Sequence, residues 1–172
     1  MATALFITTT DLKQNTLIDT NLDVDKFIQF IKIAQQIHLQ NYLGGKLYDK
    51  LGDLITTGDI SLPGNADYKT LLDDYTKDML IHYAMVDYLP FAAYTVANSG
   101  IYRKPSENQG GASKSEVDAL CDKHREFAQF YTRRFLDYMD FNAASLYPEY
   151  SQSSNDEMNA DRGDTIFQGW VL

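Results

Sequence analysis

Cys121 and His124 stand three residues apart, a spacing that puts a thiol and an imidazole on one helix face, as zinc ligands can be. A structural zinc site needs four ligands, and the chain has one cysteine and three histidines with no second such pair. Both residues fall in an apolar stripe, where a free cysteine packs as a small hydrophobe. Core packing is the role expected of them. Asp78 and His82 are four apart and can meet on one helix, a spacing commoner in solvated surface contacts. Asp73, Asp74 and Asp78, with His82, are the set a metal-dependent enzyme would use. Acids in the first turns of a long helix are also favoured by its dipole, and a solvated face is the default for them. None of the five glutamates has a histidine three residues later, so a di-iron bundle site fails. No Gly-x-Ser-x-Gly elbow exists, and Cys121 falls mid-helix, away from the positive helix end that activates a thiol. Gly44-Gly45-Lys46 lacks the spacing of a phosphate loop. No catalytic residue, metal or cofactor is assigned, and enzymatic activity is not expected.

The composition narrows the class. A chain of 172 residues, 44% hydrophobic and 23% charged, has the make-up of one globular domain. Net charge −9 argues against a protein that grips nucleic acid through its phosphates. No apolar run approaches the roughly 20 residues that cross a bilayer, so no membrane is expected. The opening MATALFITTTDLKQ lacks the basic start and long apolar stretch of a signal peptide. A lone cysteine fits a reducing compartment. Acidity is concentrated late: residues 114–172 carry eleven acids and six bases.

The elements follow from periodicity. ALFITTT, residues 4–10, is β-branched and apolar and could form a short strand. Asn21 or Asp23 can cap a first helix over about 23–43, with Val24, Phe27, Ile28, Ile31, Ala34, His38 and Tyr42 on one face. Phe30, Ile33 and Ile37 form a second stripe beside it, widening the apolar arc beyond what one core contact requires. Gly44 and Gly45 end that helix, and a shorter one follows from Gly45. A third helix over about 66–98 contains Pro90, which should kink or split it. Residues 99–114 read as a long exposed loop with a β-like stem near Ile101–Arg103. Ser115 starts a last helix over about 115–144 whose apolar side includes Leu120, Cys121, His124, Phe127 and Phe135. The expected fold is all-α: a bundle of four to five helices with extended terminal arms and one long loop. The helical domain spans 1–145, with an N-terminal arm over 1–20 and the loop at 99–114. An acidic C-terminal arm spans 146–172.

Apolar surface remains in surplus. Twelve tyrosines, nine phenylalanines and one tryptophan are more aromatic residues than such a bundle must hide. Leu5, Phe6 and Ile7, the stripe Phe30, Ile33 and Ile37, and the terminal Ile166, Phe167, Trp170 and Val171 are the candidate subunit interface. Ile101, Tyr102, Arg103 and Lys104 are the candidate partner-docking loop.

The order of these features resembles head-to-tail connector (adaptor) proteins of tailed bacteriophages, most closely the ring proteins of crAss-like phages. The resemblance is carried by LDVDKFIQFIKIAQQIHLQNYLGGKLYDKL, by ADYKTLLDDYTKDMLIHYAMVDYLPFAAYTVANSG, and by the loop and last helix leading into NAASLYPEY. It implies a helical virion protein, made in the host cytoplasm, whose copies close a twelvefold ring between portal and tail. Double-stranded DNA would pass through the ring without specific contact, and no cofactor is implied. An acidic lining would repel phosphates and let the duplex slide. A helical binding module that forms no ring is the rival reading, and the metal-dependent enzyme is the third.

Overall fold

In a computed structural model, which describes residues 4–16, 24–92, 94–97, 100–103, 113–151 and 158–162, the chain forms an all-α bundle carrying one small hairpin. Helix α1 (Thr9–Asn15) begins with a capping box: the Asp11 amide donates to the Thr8 hydroxyl, and the Thr8 amide to the Asp11 carboxylate. Residues 4–8, described before it, do not form a strand. The buried Gln35 side chain takes the place of a strand partner, accepting from the Phe6 amide at 3.0 Å and donating to the Ala4 carbonyl at 2.8 Å. Phe6, Ile7 and Leu12 are thereby drawn into the core. Of the interface arm expected over 1–20, Phe6, Ile7 and Leu12 are thus held against their own bundle.

Helix α2 (Val24–Ala34) runs through a π-helical turn (Gln35–Leu39) into α3 (Gln40–Thr57). The chain bends at Gly44, whose φ of +74° suits only a residue without a Cβ, so the break falls where the glycine pair predicts it. The proposed caps Asn21 and Asp23 lie outside the described residues. Gly58, also left-handed, ends α3.

After two short 3-10 turns, α4 (Ala66–Thr70), a second π turn (Leu71–Thr76) and α5 (Lys77–Ala92) make one long helical run. The run stops at Ala92, short of the expected residue 98. Pro90 costs the last turn a hydrogen bond, and the β-branched Thr95-Val96 that follows favours extended chain. Strand β1 (Tyr94–Ala97) pairs antiparallel with β2 (Gly100–Arg103), Tyr94 opposite Arg103. The stem expected at Ile101–Arg103 is therefore a true strand, and part of the expected loop is hairpin.

Helix α6 (Lys114–Leu146) starts from Ser113 rather than Ser115, because Ser113 and Glu116 form a complete capping box. Pro148 opens a short α7 (Pro148–Ser151) instead of only ending a helix. Tyr147 and Tyr150 are buried in the core, so the body extends past residue 145 into the stretch read as an arm. The chain then returns at 158–162 to lie on α3. The Gly45 amide donates to the Met158 carbonyl at 2.7 Å, and the Asp161 amide to the Asn41 carbonyl at 2.8 Å.

The core gathers Ile31, Leu43, Leu47, Leu71, Met79 and Phe135 from α2, α3, the second π turn, α5 and α6. α5 sits in the middle. His82 faces α6, while Asp87, Tyr88 and Phe91 face α2 and its π turn. A helix held on two sides must be apolar most of the way round, and α5 is. Among the described residues, no helix is long and apolar enough to cross a membrane.

Candidate functional site

Among the described residues, two apolar faces stay open on helices that α5 keeps apart. On α2 and its π turn, Ile33 and Ile37 are exposed, Ile37 at 60%. Phe30, one turn earlier, is buried against Tyr88 and touches Phe91 at a ring separation of 5.6 Å. Phe91 is 62% exposed at the end of α5 and continues the patch. Of the expected stripe, then, Ile33 and Ile37 are on the surface and Phe30 forms its base.

The second face is on α6. Leu120, Phe127, Phe130 and Phe141 are all exposed, Phe130 at 61% and Phe141 at 88%. Their spacing of seven, three and eleven residues puts them on one side of the helix. Leu120 and Phe127, expected on the buried side of α6, lie instead on its outer flank, because Cys121, Ala128, Phe135 and Met139 fill the narrower strip toward the core. Phe130 and Phe141 were not singled out by the sequence. The available signal was their helical phase with Phe127.

Of the other expected interface residues, Phe6 and Ile7 are core, and Leu5 packs against it. Ile166, Phe167, Trp170 and Val171 lie outside the described residues. Ile101, Tyr102 and Arg103 form β2; Lys104 lies outside the described residues.

Beside the α6 face, the packing of α5 on α6 joins the two sequence pairs that looked too small for chemistry. His82 Nδ1 and His124 Nδ1 stand 3.0 Å apart. One must donate and the other accept. Phe127 and Tyr131 flank the His82 ring at 5.2 Å and 5.6 Å between centroids. Burial, together with the neighbouring His124, holds the His82 imidazole down to about 4. Burial lowers His124 as well, so both rings are neutral near pH 7. Burial also pushes the Cys121 thiol up, which leaves it a packed thiol rather than a nucleophile.

The acidic set does not converge. Lys69 and Lys77 both pair with Asp73. Burial raises the Asp73 carboxyl, and the two lysines outweigh this and bring it below the usual range. Among the described residues, no three His, Cys, Asp or Glu side chains gather to hold a metal ion. The third histidine is elsewhere: His38 stacks on Tyr83 and meets Asp87 at 3.3 Å.

An all-α bundle with two separate apolar faces is the class this architecture defines. Residues 39–159 match DUF6712, a family of unknown function, and the chain belongs to that family. The matched span closes where the chain returns onto α3 at Met158. No curated protein and no solved structure matches the chain.

Proposed function

We propose that the chain is a structural virion protein, a subunit of the head-to-tail connector ring of a tailed bacteriophage. Copies close into a ring, twelvefold in the family it resembles, docked on the portal on one side and on tail or further ring proteins on the other. Double-stranded DNA passes through the lumen. The role is one of assembly, without catalysis.

The observation that carries this reading is the pair of unlike apolar faces, Ile33 with Ile37 and Phe91 on one side of α5, and Leu120, Phe127, Phe130 and Phe141 on α6. Exposed apolar clusters of this kind mark interaction surfaces. Two different faces on one subunit make a heterologous contact, which yields a finite ring when the rotation closes. The net charge of −9 supports a channel that does not hold DNA phosphates.

The test is light scattering and negative-stain imaging of the full chain, alone and mixed with portal. Closed rings in either sample support the proposal. A chain that stays monomeric in both is a helical binding module instead.

A further inference from the structure

We propose that His82 and His124 form a two-nitrogen site for a zinc-class divalent cation that ties α5 to α6. This inference is independent of the connector reading. Each histidine belongs to a sequence pair, Asp78 with His82 and Cys121 with His124, that is too small on its own. Helix packing supplies what spacing along the chain does not, setting the two Nδ1 atoms 3.0 Å apart and facing one another.

That separation is close to the bite a metal requires. Two nitrogens bound to tetrahedral zinc at about 2.0–2.1 Å each lie about 3.3 Å from one another. The nitrogens need to part by about 0.3 Å and the rings to tilt so that both lone pairs aim at the ion rather than at one another, with neither ring turned over. In the metal-free pair a single proton bridges the two nitrogens. On binding, that proton leaves Nδ1 to solvent and the same ring takes one up at Nε2, so both rings stay neutral and both Nδ1 lone pairs face the cation.

The setting suits the role. Both side chains project from helices that share the most extensive helix–helix packing among the described residues, so the donors are held by rigid elements. Phe127 and Tyr131 wall the His82 ring. No third His, Cys, Asp or Glu among the described residues completes a closed centre, so water fills the remaining positions and the affinity is modest. Imidazole nitrogen suits zinc, copper and nickel rather than magnesium or calcium.

The experiment uses the full chain, stripped with chelator and titrated with zinc chloride. Calorimetry is expected to give one ion per chain. In the same titration the ring resonances of two of the three histidines shift, while those of His38, engaged with Asp87, do not. His82→Gln and His124→Gln each weaken binding by about tenfold or more, and His38→Gln leaves it unchanged. The ring resonances are read on the unmutated chain, so they decide the matter even if a variant fails to fold. Unmoved His82 and His124 resonances, or zinc binding equal in all four proteins, overturn the proposal.

Discussion

Gly44 and Ala160 lie backbone against backbone: a Cβ on Gly44 would stand 2.8 Å from the Ala160 amide nitrogen. The same glycine holds a φ of +74°. Strain and collision therefore act together in Gly44→Ala, which should lose about 2–3 kcal/mol in chemical denaturation. Because 158–162 rests in that notch, a chain ending at residue 157 should unfold at a lower midpoint than one ending at residue 162. Equal midpoints for the two truncations would show that the return segment contributes nothing.

Gln35 is the second fixed point. Its side chain serves the Phe6 amide, the Ala4 carbonyl and the Tyr48 hydroxyl at once. Gln35→Leu keeps the approximate volume and abandons the buried Phe6 amide and Tyr48 hydroxyl, along with the part-buried Ala4 carbonyl. A loss of about 3 kcal/mol is expected, with faster proteolysis ahead of α1. Urea titration with limited proteolysis measures both.

The histidine pair gives stability a pH dependence. In the folded chain both imidazoles titrate below the unfolded value of about 6.5, His82 at about 4. Between those limits the unfolded chain binds more protons, so unfolding becomes easier as pH falls. The contribution is whole above about pH 6.5 and drains away toward pH 4. Urea midpoints in chelator should show this decline for the parent and a shallower one for His82→Gln. Parallel curves would assign the acid sensitivity to carboxylates.

The two apolar faces can be separated by mixing. Ile37→Glu and Phe130→Glu alter side chains that are 60% and 61% exposed, so each should change folding stability by no more than about 0.5 kcal/mol. On the proposed connector reading, each alone should stop ring growth. Combined in equal amounts, they should pair as dimers and go no further, because each variant retains one intact face. Analytical ultracentrifugation distinguishes dimers from rings and from monomers. Rings surviving in both single variants would remove the two-face account.

The helical character of the chain was readable because α2, α3 and α6 each repeat apolar residues at helical spacing, and Gly44 announced its bend. The joining of His82 to His124 was not readable, since the two are 42 positions apart and meet only through the packing of α5 on α6. The division of α6 into inward and outward strips was also hidden. Cys121 and Phe127 look alike in a hydrophobic pattern, and only the width of the contact with α5 decides which is covered. Proline suits a first helical turn as well as a stop, so the start of α7 at Pro148 carried no clear sign in the sequence, and the tyrosines on either side of it went unrecognised as core. The hairpin lost to the helical pattern before it because Tyr94–Ala97 continues the apolar run without a break.

The first buried side chain of α6 is Cys121, so the two turns before it depend on the Ser113–Glu116 cap and on little else. Such a cap is worth about 1 kcal/mol. Amides in those turns should exchange with solvent by fraying at the helix end, while those beyond Cys121 await opening of the whole bundle. Each residue released changes its rise from about 1.5 Å to about 3.3 Å. The stretch between Ser113 and Cys121 can therefore lengthen by about 13 Å when the first seven positions of α6 uncoil, which makes the start of this helix a reserve of reach.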